Sequence, residues 1–574
     1  MLKNIISFLF FLLGFLPIAQ AQKGIPMDVK ENVKTRVDNG TNTGIVIGLI
    51  DSDGTHFYSY GVKSLDGKEP VDEHSVFEIG SISKTFTGIL LADQVVKGEV
   101  KLDDPLQKYL PEGVTAPTRN GQEIQLVHLS NHTSALPRMP TNFNPSNPAN
   151  PFADYTEKAL YAFLNSYELP RDIGTEYEYS NLAAGLLGHV IATNQQMTYE
   201  DLMVKVITEP LGLKDTRITF TDQMKKNLAI GHSRGQEVEN WDIPTLAGAG
   251  AIRSTVADML QYIAANMGKT KSSLYPAMQL SHQNSRTAGS SPLVGLGWHI
   301  MAAGGMEIVW HNGGTGGYRT FAGFINGGEK GVVVLSNSDV GVDDIGVHLL
   351  NPLLPLQVVK PSIGIKIRKV IDSEGIEKGV NTYRELKKTQ ADKFDFAEGE
   401  LNTLGYQYLN EGEIEKAIAV FQLNVEAYPN AFNVYDSMGE AYLKKGDKEK
   451  AITLYKKAVE LNPAHEAGIA TLKELGVDIS SLVKEVVIAD QVLETYVGKY
   501  ELMPGFVLTI TKAGSQMKAQ ATGQPEFPIF PKTEHVFYFK VVPAQLTFNK
   551  NEAGMVESVT LLQGGQEIVG KRVE

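Results

Sequence analysis

The sequence predicts an α+β protein: an antiparallel sheet with helices packed on it, then an α-helical segment, then a small antiparallel β-barrel-like domain. Three observations carry this. Alternating hairpins stand at both ends of residues 22–358 and enclose a helical middle; residues 359–485 carry a helical pattern that repeats every 34 residues; and from about residue 486 the period returns to two. With 574 residues the chain is long enough for about three domains, each with its own core.

Residues 1–21 come first. Lys3, the apolar run Ile5-Ile6-Ser7-Phe8-Leu9-Phe10-Phe11-Leu12-Leu13-Gly14-Phe15-Leu16 and the small-x-small site Ala19-Gln20-Ala21 read as a signal peptide, so the mature chain is expected to start near Gln22. The apolar run is shorter than the roughly 20 residues that span a bilayer, which argues against a retained membrane anchor. The chain has no cysteine, hence no disulfide, lipidation site or thiol chemistry. Export without cysteine points to a bacterial periplasm or exterior, with stability supplied by hydrophobic cores.

The first hairpin is Gly44-Ile45-Val46-Ile47-Gly48-Leu49-Ile50, the turn Asp51-Ser52-Asp53-Gly54, and Thr55-His56-Phe57-Tyr58-Ser59-Tyr60. Its counterpart is Phe321-Ala322-Gly323-Phe324-Ile325, the turn Asn326-Gly327-Gly328, and Gly331-Val332-Val333-Val334-Leu335-Ser336. Between them lies Phe77-Glu78-Ile79-Gly80-Ser81-Ile82-Ser83-Lys84, where a helix should begin. A serine and a lysine three apart share one helical face. A lysine within hydrogen-bond reach can take the serine's proton if burial and nearby cations lower its pKa. Ser-x-x-Lys alone is weak evidence, but Gly80 permits a tight strand-to-helix turn that exposes Ser81, and Thr85-Phe86-Thr87-Gly88-Ile89-Leu90-Leu91-Ala92 would bury the helix.

The octapeptide resembles the active-site signature of class C β-lactamases and their penicillin-binding and esterase relatives. Tyr179-Ser180-Asn181 resembles the family's Tyr-x-Asn element, and His311-Asn312-Gly313, followed by Gly314-Thr315-Gly316-Gly317-Tyr318, its third element on a strand lining the cleft. The stretches 126–137 (LVHLSNHTSALP), 210–213 (PLGL) and 248–255 (GAGAIRST) fall in the expected order between the first and third elements. The resemblance implies that Ser81 attacks a carbonyl carbon to form an acyl-enzyme, that Lys84 accepts or relays its proton, and that Tyr179 is general acid to the leaving group and activator of the deacylating water. It implies backbone N–H groups of Ser81 and Gly314 as the oxyanion site, and Asn181, His311 and Gly313 as substrate-binding positions, with Asn181 holding Lys84 or a substrate amide.

A phenol with pKa near 10 acts as a base only if a cation depresses it, and Lys84 is the expected cation. Tyr177, two residues before, is a competing tyrosine. His311 departs from the β-lactamase pattern, which usually has lysine there to attract a substrate carboxylate; a histidine would carry charge only below about pH 6.5, or would be structural, tied to a backbone carbonyl. His128 and His132 are expected to brace the fold. The twelve histidines form no close cluster with aspartates, so neither a metal nor another cofactor is implied. The Pro/Asn-rich loop 140–151 (PTNFNPSNPANP) is expected to help set substrate choice.

In the helical segment the repeat is read from Gly405 and Gly439, Tyr408 and Tyr442, Gly412 and Gly446, Ala417 and Ala451, Phe421 and Tyr455, and Pro429 and Pro463. Period and positions resemble tetratricopeptide repeats, in which the aromatic residues fill seams between helices and do no chemistry. Two repeats are fewer than the roughly three that bury a continuous core, so flanking helices near 365–395 and 465–484 are expected to cap the stack. From residue 486 to 574, strands are read at Phe506–Thr511, His535–Val541, Gln545–Phe548 and Ser558–Leu562. This barrel or half-barrel resembles the lipocalin-like accessory domains appended to other members of the hydrolase family.

The 53 basic and 66 acidic residues give a net charge of −13, spread along the chain, which argues against nucleic acid or a membrane surface as partner. The expected function is a secreted serine acyl hydrolase opening β-lactams or related amides and esters through Ser81. D-alanyl or D-aminopeptidase and short-chain esterase activity are alternatives, as is a low-turnover binding protein working through its repeats and barrel. A protein partner for the tetratricopeptide segment is a further expectation.

Overall fold

The computed structural model describes residues 24–573 apart from 287–291, 480–481, 483–485, 487, 504, 523, 543, 552 and 564–565, so the expected signal peptide lies outside the described residues. The chain divides into two compact units after Val359. Among the described residues no helix is long and apolar enough to cross a membrane.

The first unit begins with α1 (Met27–Asp38) and the expected hairpin, β1 (Gly44–Asp51) and β2 (Gly54–Gly61). A short strand β3 (Val76–Glu78) leads through a 3₁₀ turn at Gly80–Ile82 into α2 (Ser83–Val96). Further on come α3 (Asn181–Asn194), β4 (Arg253–Thr255) and α4 (Val256–Asn266). The unit closes with β5 (Leu293–Val294), β6 (His299–Ala303), β7 (Met306–Gly314), β8 (Arg319–Ile325), β9 (Gly331–Ser336) and α5 (Asp343–Leu350).

Seven of these strands form one antiparallel sheet in the order β2-β1-β9-β8-β7-β6-β5. The two hairpins read from sequence thus lie side by side, β1 pairing with β9, with Ile45 opposite Ser336 and Ile50 opposite Gly331. Alternation along the strands decides what each face covers. Ile45, Ile47 and Leu49 of β1 and Val332 and Val334 of β9 pack with Val29 and Val33 of α1 and Ile345 and Leu349 of α5. Val46, Val333 and Leu335 face the other way, into the large core that holds α2, α3 and α4. Both faces of β9 are therefore covered, which is why it reads as an unbroken apolar run. Buried Arg36 on α1 is joined to Asp344 on α5 at 2.5 Å and donates to the carbonyl of Gly341.

α2 is buried continuously from Ser83 to Gln94, as a helix apolar on most sides must be. Its entry is held by the small ribbon β3–β4, in which Glu78 lies opposite Arg253, and by the bond from Ile79 N to the carbonyl of Ile252.

The second unit holds the helices α6 (Ile363–Glu374), α7 (Ile376–Thr389), α8 (Glu398–Asn410), α9 (Ile414–Ala427), α10 (Phe432–Lys445), α11 (Lys448–Leu461) and α12 (Glu466–Glu474). α8 to α11 are the two 34-residue repeats. Tyr408 and Phe421 are buried among Ile363, Ile367 and Tyr383 of α6 and α7, so a preceding helix pair extends the core that two repeats alone cannot close. α12 covers the other end through Leu472 against Ala451 and Tyr455.

Eight strands follow: β10 (Gly498–Met503), β11 (Phe506–Ala513), β12 (Gln516–Ala521), β13 (Phe527–Pro531), β14 (Val536–Phe539), β15 (Ala544–Lys550), β16 (Val556–Gln563) and β17 (Gln566–Arg572). They form a closed up-and-down barrel in which β17 returns to β10, so the half-barrel alternative is set aside. The sequence reading found four of these strands. The missed ones include Gln516–Ala521 and Gln566–Arg572, whose outward residues are lysine, glutamine, glutamate and valine and whose inward residues are small or few, leaving a weak alternation. The barrel is filled by its own side chains, among them Tyr500, Phe537, Leu546 and Phe548, joined by Tyr496 from the short helix that precedes it.

Candidate active site

Ser81 stands in the 3₁₀ turn between β3 and α2, one step before the helix proper. The turn needs glycine twice. Gly80 has φ +51°, and a Cβ there would lie 2.7 Å from the amide nitrogen of Gly314. A Cβ on Gly313 would lie 2.0 Å from the carbonyl oxygen of Ile79. The end of β7 is thereby pressed against the Ile79–Gly80 backbone, and the exposed Gly314 comes beside Ser81, where two main-chain N–H groups can face one oxygen. Gly313 itself is buried in this packing, and it is Gly314 that lines the cleft with Ser81.

Lys84, one turn on, is buried, and its Nζ has three neighbours: Ser81 Oγ at 2.9 Å, Asn181 Oδ1 at 2.9 Å and the carbonyl of Ala249 at 2.7 Å. No carboxylate pairs with it among the described residues. Burial first, and the Arg138 guanidinium second, hold its pKa well below the ordinary lysine value. A neutral amine has two N–H bonds and one lone pair. Asn181 Oδ1 and the Ala249 carbonyl can only accept, so they take both N–H bonds and leave the lone pair for the Ser81 hydroxyl. That geometry suits a general base acting on Ser81.

Tyr179 is the residue before the N-cap of α3, where Ser180 Oγ accepts from Ala183 N. The motif is further held by His132, whose Nδ1 accepts from Ser180 N at 3.1 Å and whose ring lies 4.6 Å from that of Tyr179. The ring centroid of Tyr179 is 4.9 Å from Lys84 Nζ and 5.2 Å from the Arg138 guanidinium. The expectation that Lys84 depresses the phenol's pKa is corrected. Burial raises the Tyr179 pKa above its ordinary value; a hydrogen bond to Ser81 and the Arg138 guanidinium oppose the rise without reversing it, and Lys84 is not among the groups that lower it. Tyr179 therefore carries its proton at neutral pH and is equipped to donate it. Tyr177 packs on His132 at 5.6 Å, under the Arg286 guanidinium, with burial pushing its pKa up to about 12.

The expectation of a titrating His311 is corrected as well. His311 is 1% exposed and its Nδ1 lies 2.5 Å from the carbonyl of Asn312; burial and the neighbouring His299 ring, 4.7 Å away, keep its pKa well below the ordinary histidine range. It is a neutral wall of the Tyr179 pocket, 6.2 Å from that ring. His299 on β6 joins it, with its pKa lowered to about 4 by burial. His128 is a brace of the fold, its Nδ1 accepting from Gln125 N at 3.1 Å.

On the other side of Ser81 a cleft is lined by Phe152, Asn181, Trp241, Ile243, Ala249, Gly250, Gly314 and Thr315. It is small, about 30 Å³. The Pro/Asn loop helps to shape it: Asn150 exchanges bonds with Asp242, next to Trp241, and the chain then enters Phe152, whose ring is 5.4 Å from Trp241. Phe152, Trp241, Ile243, Ala249, Arg138 and His299 carry no sequence signal as site residues, although Arg138 directly follows the 126–137 stretch and Ala249 lies within the 248–255 stretch.

Comparison with known proteins identifies the family. The beta-lactamase family profile matches residues 29–350, a tetratricopeptide repeat profile matches 432–465, and a domain of unknown function (DUF3471) matches 484–572. The chain is 31% identical over 332 residues to the D-alanyl-D-alanine-carboxypeptidase/endopeptidase AmpH of Escherichia coli K12, covering 54% of this chain and 85% of that protein. It is 28% identical over 332 residues to a beta-lactamase of the same organism (52% and 84% covered) and 27% over 330 residues to one of Pseudomonas fluorescens (52% and 88%). The chain is a serine hydrolase of the beta-lactamase family, with a tetratricopeptide segment and a closed eight-stranded barrel following its hydrolase unit in sequence.

Proposed function

We propose that the protein is an exported acyl hydrolase of the class C type, which opens β-lactams and amides of the D-alanyl peptide type through an acyl-enzyme on Ser81. The observation that carries this reading is the buried, carboxylate-free Lys84 whose two N–H bonds are taken by Asn181 Oδ1 and the Ala249 carbonyl. Lys84 accepts the Ser81 proton as Oγ attacks the carbonyl carbon. The oxygen that becomes negative is met by the N–H groups of Ser81 and Gly314. Tyr179 donates its proton to the leaving nitrogen; the resulting phenolate takes one from the deacylating water as its oxygen attacks the acyl carbon, and Ser81 Oγ departs with the proton that Lys84 returns. D-Alanyl carboxypeptidase activity stands beside β-lactam opening because AmpH, so named, is among the relatives that align across the whole hydrolase unit. Export rests on the leader-like residues 1–21.

Incubation with labelled penicillin followed by mass measurement tests the reading. One adduct per chain, absent in Ser81→Ala, is expected; an adduct that persists in Ser81→Ala would defeat it. The repeats and barrel are assigned an accessory role, with a protein as the partner of the tetratricopeptide helices. A chain ending at Val359 is then expected to keep its turnover of a small chromogenic ester, and loss of folding in circular dichroism would count against that division.

A further inference from the structure

The neutral His311 leaves the site without the cation that its position usually supplies to a substrate carboxylate. We propose that Arg138 takes that role: its guanidinium, beside the Tyr179 ring on the leaving-group side of Ser81, binds a carboxylate carried by the leaving group. The proposal rests on the Ser81 acyl hydrolase reading above and adds a residue that determines specificity within it.

Four observations support it. First, the guanidinium is 5.2 Å from the Tyr179 ring centroid, and Tyr179 is the group that hands a proton to the departing atom. A carboxylate one or two bonds from that atom falls within reach. Second, the backbone of Arg138 does not drift. Its carbonyl accepts from Asn181 N at 3.0 Å and Leu182 N at 3.2 Å, while the preceding carbonyl, Pro137, accepts from Ser180 Oγ at 2.7 Å. The arginine is thus anchored to the Tyr179-Ser180-Asn181 motif.

Third, the side chain is exposed and meets no carboxylate and no hydrogen-bond acceptor among the described residues. Its fork of N–H donors is open, in the geometry that a carboxylate fills with two parallel bonds. Fourth, the neighbouring groups are buried or bonded through one nitrogen to backbone carbonyls. Burial lowers the pKa of Lys84, His132, His299 and His311 and so disfavours charge on each of them. Arg286 donates to the carbonyl of Pro292 and Arg319 to those of Thr315 and Tyr318. The preferred substrate is therefore an acyl donor whose leaving group ends in a free carboxylate, as a C-terminal amino acid or a β-lactam nucleus acid does.

The test uses the full chain and two thioesters with one acyl group, one releasing mercaptoacetate and the other its amide, with thiol release as the readout. Because Arg138 also acts on Lys84 and packs on Tyr179, the readout is the ratio of the two substrates: Arg138→Gln is expected to lower kcat/KM for the mercaptoacetate thioester about tenfold more than for its amide, with the difference mainly in KM. Arg138→Lys should recover part of the loss, and the wild-type preference for the charged thioester should shrink as salt rises. Equal losses on both thioesters would overturn the proposal, since Arg138 would then act only by holding Tyr179. No change on either would also overturn it, since the carboxylate would be held elsewhere. Failure of the wild type to release thiol from the amide thioester, with no acylation of Ser81, would instead defeat the hydrolase reading on which it stands.

Discussion

The active-site pocket of the hydrolase unit and the repeat helices of the second unit dispose of their ionisable side chains in opposite ways. In the second unit they sit outside and meet opposite charges: Arg368 with Glu411 at 2.8 Å, Arg384 with Glu426 at 2.9 Å, and Lys445 with Glu415 at 2.6 Å. Exposed pairs of this kind contribute little to stability, about 0–1 kcal/mol each, and the aromatic seams and barrel core carry that load. In the hydrolase unit Lys84, His132 and His311 are buried within one pocket with no carboxylate beside them. Burying a base without a counter-ion costs stability, and in return leaves it unprotonated. One region is arranged for packing and the other for proton transfer.

Removing the buried base is the strongest way to break that contrast. Lys84→Met, similar in length and apolar, is expected to fold and to lose roughly 10⁴-fold or more in kcat, as when an activating residue is removed from a serine hydrolase. Wild-type kcat/KM should fall on the acid side as pH drops through the depressed Lys84 pKa, because only the neutral amine can accept the Ser81 proton. An acid limb centred near pH 10.5, the ordinary lysine value, would mean that Lys84 is not desolvated.

Tyr179→Phe should reduce turnover by about 10²–10⁴-fold, the usual share of a general acid or base. The alkaline limb of wild-type turnover should lie above pH 10, since burial raises the pKa of this phenol and the protonated form is the donor. If Tyr177→Phe produced the larger loss, the acid would have to be reassigned.

A smaller effect is expected at His311, where the unit tolerates polarity only without charge. His311→Lys would bury an ammonium near Lys84 and His299, and a lower melting temperature, equivalent to about 3 kcal/mol, is expected. In the wild type, KM for a carboxylate-bearing β-lactam should show no step between pH 6 and pH 8, because the His311 pKa lies well below that window. A step there, absent for a neutral ester, would restore a titrating His311.

The smallest effect on activity is expected from the opposite unit. A Cβ on Gly405 would lie 2.3 Å from Phe421 Cε1, so Gly405→Val should destabilise the repeat segment by about 1–3 kcal/mol. Turnover of a small ester should be unchanged, and a parallel loss of activity would erase the contrast between the units.

Much of this molecule is legible in the chain because its signals are local. The two hairpins are written as alternation and Gly/Asn turns; the repeats as a 34-residue period; the nucleophile turn as Gly80-Ser81 followed by Lys84. Backbone sterics and side-chain period act over a few residues, so they survive in one dimension. Tertiary structure alone decided which charges exist. The sequence allows a Lys84 with a lowered pKa or a Lys84 cation acting on Tyr179, and a titrating or a structural His311; enclosure by distant segments decides for the lowered pKa at both. The acceptors that orient Lys84 come from Asn181 and Ala249, 97 and 165 residues away. The Phe152–Trp241 wall and the open guanidinium of Arg138 likewise arise where separate loops converge. Desolvation and Coulomb interaction depend on distance in space, and a pKa set by them has no signature in sequence order.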